Sequence, residues 1–492
     1  MKSLKQYHFW LVVGSQDLYG PETLRQVNEH AKAMVEGFEA DPTIPCTIVY
    51  KPCVRNSNEI YNLIQSANDD PNCAGIITWM HTFSPSKMWI RGLNILHKPI
   101  LHINTQFNRD IPWDSIDMDF MNLNQSAHGD REHGFILSRM RINQKVIAGH
   151  WEDKRFRERM ANWMRAAIGA YESRRLRVLR ISDNMREVAV TEGDKVEAHI
   201  KFGWQIDHYG VEDIISVVES VTEAEVDAQM EEYKKHYDFA TDDIEAVRYQ
   251  AREEVALKRF LQEGEFGAFH TNFQDLQHLK QLPGLAAQDL MRQGYGFAAE
   301  GDWKTAALVR ILKLMAADLG TGTSFMEDYT YHMEPGNGMN MGAHMLEICP
   351  TIAAEKPQIK VMPLGIGDRE PPARLTFKAK TGPAILVSLI DMGDRFRMIV
   401  NDVICQEQKF DMPKLPVAAV LWKPLPDLET SSEAWIYAGG AHHSVLSYGI
   451  TADIMRDWAE IMDIEFIHIG EHTNINDLRR ELTYNDIIWK LK

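Results

Sequence analysis

The sequence predicts an α/β protein, with two parallel-sheet, Rossmann-like α/β domains followed by a mostly β, barrel-like C-terminal domain. Three observations support this class. Apolar strand-like runs alternate with helical stretches in the first half of the chain, a second such unit follows to about residue 325, and short strand-like runs separated by Pro and Gly then replace it. Buried strands alternating with helices indicate a parallel sheet covered on both faces. Several short strands with turn signals indicate a sandwich or barrel.

The chain has 492 residues, which corresponds to about three domains at ~150 residues each. We predict an N-terminal α/β domain over residues 1–170 and a central α/β domain over residues 171–325 that carries Glu300. A C-terminal barrel-like domain with terminal helices is predicted over residues 326–492.

The first domain begins with an apolar run from Tyr7 to Val13. Pro21 then opens a helical stretch to about Glu39, because proline suits the first turn of a helix. The further elements predicted for this domain are strands at 46–50, 74–79, 99–104 and 146–150, and helices at 58–67, 85–96 and 153–173.

The second half contains two helical patterns of different character. A charged tract over 223–263 is interpreted as a solvated helix face. Residues 305–319 predict an amphipathic helix, because apolar residues recur at spacings of three and four. The other predicted elements are strands at 176–182, 266–270, 359–362, 373–379, 384–390, 395–404 and 417–422, and helices at 451–462 and 475–491.

Charge and cysteine content narrow the function classes. A formal net charge of −17 argues against a nucleic-acid or membrane partner and is compatible with a neutral sugar. Five cysteines without a C-x-x-C pair make a disulfide framework or a structural zinc site improbable. We expect a cytoplasmic location, because the N-terminus lacks export features and no apolar run reaches the ~20 residues of a membrane span.

Several familiar catalytic motifs are missing from the sequence. It contains no P-loop, no G-x-S-x-G, no H-E-x-x-H and no G-x-G-x-x-G after the first strand. Nucleotide-driven transfer, serine hydrolysis and zincin chemistry are therefore disfavoured.

A few polar side chains instead lie in unusually apolar surroundings. They are Glu300 in GFAAEG, Glu327 in SFMEDY, His344 in MGAHML, and His442 and His443 in AGGAHHS. Taken singly, each histidine has the alternative of a hydrogen-bonded core residue, and each glutamate that of a partner for an arginine.

Taken together, two carboxylates and two imidazoles form a mixed oxygen and nitrogen donor set. Such a set suits Mn²⁺, Co²⁺ or Mg²⁺ better than structural zinc. Four protein ligands leave about two positions for adjacent oxygens of an α-hydroxycarbonyl sugar, whose carbonyl a divalent ion would polarise.

Longer segments around these residues carry a resemblance to a known family. They are GSQDLYG (14–20), WMHTFSPSKMWI (79–90), HGDREHGF (128–135), AEGDWKTAAL (299–308), FMEDYTYH (325–332), GAHMLE (342–347) and AGGAHH (438–443). In all of them the chain resembles the L-arabinose isomerases. The resemblance implies two α/β domains, a C-terminal β-barrel and conversion of L-arabinose to L-ribulose, with a side activity that turns D-galactose into D-tagatose.

The resemblance also implies roles for individual residues. Glu300, Glu327, His344 and His443 would bind one Mn²⁺ per subunit, with Co²⁺ or Mg²⁺ as substitutes. Glu300 and Glu327 would also be the catalytic acid–base pair, moving a proton between C2 and C1 through an enediol. The sugar would be bound by Gln16, Leu18, Tyr19, Phe83, Gln125, His128, Met185, Phe273, Tyr329 and Ile366.

The same resemblance implies a homohexamer of two stacked trimers, in which His128 reaches the active site of a neighbouring subunit. Two alternatives remain at this point. One is an isomerase of the same fold family acting on another sugar, such as L-fucose or D-galactose. The other is a non-catalytic sugar-binding protein, which would have no use for two glutamates in apolar surroundings.

Overall fold

The computed structural model describes residues 3–365 and 369–492 of the chain. The described residues divide into two compact units, one that ends at Tyr171 and one that runs from Glu172 to Lys492. The predicted fold class is confirmed: two parallel sheets come first and a mostly β region follows. The predicted domain limits at residues 170 and 325 stay predictions.

The N-terminal unit is a doubly wound parallel sheet. Its strand order is β2-β1-β3-β4-β5, and every neighbouring pair is parallel. The strands are β1 (His8–Gly14), β2 (Thr47–Val54), β3 (Cys73–Trp79), β4 (Ile100–Asn104) and β5 (Gln144–Ala148); the helices are α1 (Gly20–Glu39), α2 (Ser57–Asp69), α3 (Ile90–Leu93), α4 (Met118–Leu123), α5 (Ser126–Arg139) and α6 (Lys154–Ser173).

This strand order determines where a ligand can bind. The chain leaves β1 toward β2 on one side and leaves β3 toward β4 on the other. A crevice therefore opens beyond the carboxyl ends of β1 and β3, and doubly wound sheets bind ligands at such a switch point. One core of this unit packs on the sheet through Trp10, Val12, Ile60, Ile64, Trp89 and Leu137.

The second unit begins with a smaller sheet of the same kind. Its order is β10-β9-β6-β7, again with parallel neighbours, so its switch point lies between β6 and β9. The elements are β6 (Arg177–Ile181), α7 (Lys195–Phe202), β7 (Gln205–Tyr209), α8 (Val211–Ser220), α9 (Glu223–His236), β8 (Asp238–Phe239), α10 (Ile244–Glu263), β9 (Ala268–His270), α11 (Leu285–Arg292), β10 (Gly296–Ala298) and α12 (Trp303–Met315).

The rest of this unit contains a closed antiparallel barrel. The strand order is β15-β18-β11-β12-β17-β16, and pairing of β15 with β16 closes the ring of six. β19 adds to β16 in parallel, and β13 pairs with β14 and β8. The elements are β11 (Thr323–His332), β12 (Met339–Ala343), β13 (Gln358–Val361), β14 (Ala373–Thr376), β15 (Gly382–Asp391), β16 (Phe396–Gln406), β17 (Val420–Pro424), α13 (Leu428–Ala438), β18 (His443–Ser447), α14 (Ala452–Met462), β19 (Glu465–Ile469) and α15 (Ile475–Leu491).

The prediction for the charged tract 223–263 is wrong in two respects. The tract forms two helices, α9 and α10, separated by the two-residue strand β8. It is not simply a solvated face either, because Gln250, Glu253 and Glu254 are buried. Glu254 accepts hydrogen bonds from Tyr233 and Gln293, so polar partners inside the unit replace water.

The helix predicted at 305–319 is α12, and the expectation of an amphipathic helix is wrong. Its residues are buried on every side except at the half-buried Arg310. The helix packs against β9 and β10 and also against β11, β15 and β18, so the parallel sheet and the barrel both cover it. Among the described residues, no helix is long and apolar enough to cross a membrane.

Candidate active site

Barrel strand pairing positions three of the four predicted metal ligands. β11 pairs with β18 so that Glu327 lies opposite His443. β11 also pairs with β12 so that Glu327 lies opposite Ala343, the residue before His344. The antiparallel register therefore brings together side chains that are far apart in the sequence.

The fourth residue, Glu300, follows the last strand of the parallel sheet. It lies two residues after β10 with a φ of 60°, in the left-handed region. This conformation costs a non-glycine residue roughly 1–2 kcal/mol, and such strain concentrates at functional sites. The Glu300 carbonyl accepts the N–H of Met185 at 3.0 Å, which helps to hold it.

Gly301 makes that backbone path possible. Its φ is 81°, and a Cβ at this position would lie 2.4 Å from the Cα of Asn184. Its N–H donates to the carbonyl of Thr271 at 3.1 Å. Any larger residue would push the loop that carries Glu300 away from the loops after β6 and β9.

The side chains of the four predicted ligands converge. Possible ligand atoms of Glu300, His344 and His443 all lie within 4.8 Å of one another. The Nε2 of His344 is 3.9 Å from Glu327 Oε2, and the Nε2 of His443 is 3.7 Å from Glu300 Oε2. His442 is also close, with its Nε2 3.6 Å from the same oxygen of Glu300.

Each of the two buried histidines is oriented by a carboxylate on its far side. The Nδ1 of His344 contacts Glu347 Oε2 at 2.6 Å, and the Nδ1 of His443 contacts Asp302 Oδ2 at 3.2 Å. A carboxylate partner assigns the proton to Nδ1 and leaves the lone pair on Nε2, as in carboxylate–histidine–metal arrangements.

Asp302 and Glu347 were not predicted from the sequence. The only sequence signal is proximity, since Asp302 follows Glu300 by two residues and Glu347 follows His344 by three. Neither spacing reveals that the carboxylate points at a histidine.

Asp302 keeps its charge although it is completely buried. Burial alone would raise the pKa of its carboxyl, but the positive charge of Lys304, 3.7 Å away, and hydrogen bonds from His443 and Thr305 lower it well below its usual value. Lys304 itself donates to the carbonyls of Thr191 and Glu192. Burial lowers the pKa of the Lys304 ammonium.

The charges around the glutamates and histidines are mutually favourable. Burial would raise the pKa of Glu300, but a hydrogen bond with His442 and the nearby imidazoles lower it overall. Burial would lower the pKa of His344, but the negative charge of Glu347 raises it overall. The carboxylates therefore stay ionised and stabilise positive charge at this place, whether it is carried by an imidazole or by a bound cation.

These residues fit a divalent ion. The His443 side chain is fully buried, and its Nε2 has no hydrogen-bond partner among the described residues. Unpaired buried polar atoms are rare and call for a ligand or an ion. Two carboxylates and two imidazole nitrogens without thiolate match Mn²⁺ or a similar ion.

Three predicted sugar-binding residues lie in the same unit. Met185 follows β6 and donates its N–H to the carbonyl of Glu300, and the half-buried Phe273 follows β9. Tyr329 is two residues after Glu327, and burial and the charges of Glu327 and Glu300 raise its pKa. Ile366 lies outside the described residues.

The other six predicted residues form a group in the N-terminal unit. Gln16 donates to the carbonyl of Phe83 at 3.1 Å, and Tyr19 donates to Gln125 Oε1 at 2.7 Å. The rings of Phe83 and His128 are stacked at 5.0 Å. The exposed Leu18 lies beside Tyr19. Because Gln16 follows β1 and Phe83 follows β3, this group occupies the switch point beyond those two strands.

Comparison with known proteins gives a consistent match along the chain. Models of the L-arabinose isomerase N-terminal, central and C-terminal domains match residues 3–175, 177–318 and 322–465. An L-arabinose isomerase of Geobacillus thermodenitrificans is 57% identical over 496 residues, with 100% of both chains covered. One of Thermotoga neapolitana is 55% identical over 493 residues, covering 100% of this chain and 99% of its own.

Similarity to solved structures is much weaker. A periplasmic sugar-binding protein of Legionella pneumophila covers 63% of this chain and 95% of its own, with 14% identity and a TM-score of 0.13. That similarity is too low to bear on function.

Proposed function

The chain belongs to the L-arabinose isomerase family, and we propose that it converts L-arabinose to L-ribulose by metal-assisted proton transfer through an enediol. The observation that carries this proposal is the convergence of Glu300, Glu327, His344 and His443 around the unpaired Nε2 of His443. The expectation of a cytoplasmic location stays a prediction.

The four side chains would bind one Mn²⁺, with Co²⁺ or Mg²⁺ as substitutes. When bound, the ion supplies Lewis-acid polarisation of the sugar carbonyl and charge stabilisation of the enediolate. Asp302 and Glu347 hold the two imidazoles in a fixed orientation through Nδ1, which leaves each Nε2 directed at the ion.

Glu300 and Glu327 would perform the proton transfers. One carboxylate removes the proton from C2 and returns it to C1, while the other moves a proton between the C2 and C1 hydroxyl oxygens. Both are near histidines, Glu327 at 3.9 Å from His344 and Glu300 at 3.7 Å from His443. Two carboxylates flanking one pair of carbons suit general acid–base catalysis.

Incubation with L-arabinose and Mn²⁺ tests the proposed reaction, with the product identified by NMR. We expect L-ribulose, and slower conversion of D-galactose to D-tagatose. D-Galactose has the same configuration as L-arabinose at C2 to C4 and adds a hydroxymethyl group, whereas L-fucose differs in configuration. Faster conversion of L-fucose than of L-arabinose would contradict the substrate assignment.

L-Arabinose deuterated at C2 distinguishes the enediol route from a hydride shift. If a carboxylate carries the proton, solvent hydrogen should appear at C1 of the ketose, because the protonated acid exchanges with water. Complete retention of deuterium at C1 in the product would argue against the exchanging enediol mechanism.

We also propose a homohexamer of two stacked trimers with active sites shared between subunits. His128 is exposed on α5 of the N-terminal unit, and Phe135, two turns further on the same helix, is 58% exposed. An aromatic side chain exposed on the same face as a polar candidate residue is typical of a protein–protein interface. The substrate roles of Gln16, Leu18, Tyr19, Phe83 and the other pocket residues remain part of this proposal.

Mixed oligomers test whether sites are shared. His128→Ala and Glu300→Gln should each be nearly inactive alone. In co-expressed hexamers, an intact Glu300 can meet an intact His128 from a neighbour in about a quarter of sites, since contacts in a trimer ring are heterologous. We expect activity to reappear in purified mixed particles, and mixed particles no more active than the parents would refute sharing.

A further inference from the structure

Asp130 is a buried carboxylate on α5 that no step of the proposed reaction uses. Its side chain is only 2% exposed. Oδ1 accepts the N–H of Met80 at 3.0 Å, and Oδ2 accepts from the amide of Asn104 at 2.7 Å. Because Met80 follows β3 and Asn104 ends β4, this one carboxylate joins the helix to the carboxyl ends of two strands.

The segment that begins at Met80 carries part of the predicted sugar-binding group. The carbonyl of His81 accepts the N–H of Gln125 at 2.9 Å, and Thr82 donates to Ser15 at 2.6 Å. Phe83 follows, with its carbonyl bonded to Gln16. Any shift of Met80 would therefore be passed along residues 81–83.

The same segment touches α5 directly at Gly129. A Cβ on Gly129 would lie 3.1 Å from both the Cβ of Met80 and the carbonyl oxygen of Thr82. The absence of a side chain lets the helix approach closely enough for the ring of His128 to stack on that of Phe83. Asp130, the next residue, bonds to the same segment at Met80.

We propose that Asp130 is a positioning residue for sugar binding, fixing α5 against residues 80–83 so that Phe83, Gln125 and His128 keep their relative positions. This proposal rests on the proposed function, which assigns those three residues to the sugar. Asp130 itself lies beneath them and acts through Met80 and Asn104, while its Oδ1 also lies 3.3 Å from the Nε2 of His102.

The variant Asp130→Asn removes one of the two hydrogen bonds that the carboxylate accepts from Met80 and Asn104, while keeping the shape of the side chain. An amide has one acceptor oxygen, so either the Met80 N–H or the Asn104 amide would face another donor. We expect the KM for L-arabinose to rise about tenfold with kcat changed less than about threefold, the pattern of binding lost equally from the ground state and the transition state. If this variant does not fold, Asn104→Ala, which frees only Oδ2, should raise KM about threefold.

Asp70→Asn is the matched control. Asp70 lies at the amino ends of β1 and β3, at the opposite end of the strands of the same sheet, where it accepts from His8 at 2.8 Å and from the N–H of Asn72 at 2.9 Å. This change should lower thermal stability and leave KM unaltered.

Kinetics and a crystal structure of Asp130→Asn together decide the proposal. A raised KM and a displaced Phe83–His128 pair would support it. A KM equal to that of Asp70→Asn, or an unmoved ring pair, would overturn it, as would an unchanged KM in a folded Asn104→Ala. If the wild-type protein does not isomerise L-arabinose, the proposed function fails, and the crystal structure alone then decides the role of Asp130.

Discussion

Exhaustive removal of divalent ions should reduce L-arabinose isomerisation to background, and Mn²⁺ should restore it. The reason is the geometry around His443, whose buried Nε2 has no partner among the described residues and faces Glu300. Without an ion, the carbonyl of the sugar would lose its polarisation and the two carboxylates would repel each other.

The same chelation experiment should show a loss of stability. An ion that binds only the native state stabilises it by RT ln(1 + [L]/Kd), about 2.7 kcal/mol at a concentration of 100 Kd. Thermal unfolding of the metal-free and Mn²⁺-loaded protein measures this difference. Metal analysis serves as the control, and a protein verified as metal-free that retains full activity would contradict the proposed site.

Glu300→Gln and Glu327→Gln should each reduce kcat by at least the ~10²–10⁴-fold expected for loss of a general acid or base. The reduction can exceed that range, because each change also weakens a proposed metal ligand. Steady-state kinetics at saturating Mn²⁺ separates the two contributions, since a variant that only binds the ion more weakly recovers as the ion concentration rises.

Glu334→Gln is the matched control for these two changes. Glu334 lies just beyond β11, its side chain is 59% exposed, and it accepts from Asn337 at 2.8 Å. Its replacement should leave kcat and KM as they are. Either active-site variant retaining more than about a tenth of wild-type kcat at saturating Mn²⁺ would exclude that glutamate as a catalytic acid or base.

The sequence predicted the secondary structure best where the pattern of apolar residues directly reflects burial. Strands such as β1 and β3 are buried and apolar along most of their length because helices cover both faces of a parallel sheet. The charged tract 223–263 was misinterpreted because Glu254 accepts from Tyr233 and Gln293, and Glu253 from Gln250, all inside the protein, and composition does not reveal such partners. The helix α13 was not predicted within the strand-rich region.

The candidate site could be predicted only to the extent that each residue contrasts with its own surroundings. Glu300 and Glu327 stand out because a carboxylate in an apolar run needs a partner. Their convergence with the histidines depends on the register of β11 with β18 and β12, a pairing between distant segments. Asp302, Glu347 and Asp130 were missed because their importance lies in what their oxygens contact.

Anomalous diffraction at the manganese absorption edge, from crystals grown with Mn²⁺, tests the proposed centre most directly. We predict one strong anomalous peak per chain, bounded by carboxylate oxygens of Glu300 and Glu327 and by the Nε2 atoms of His344 and His443. His442 should remain outside the coordination shell, in keeping with its greater exposure of 37%. A peak coordinated by His442 in place of His443, or located away from these residues, would contradict the account.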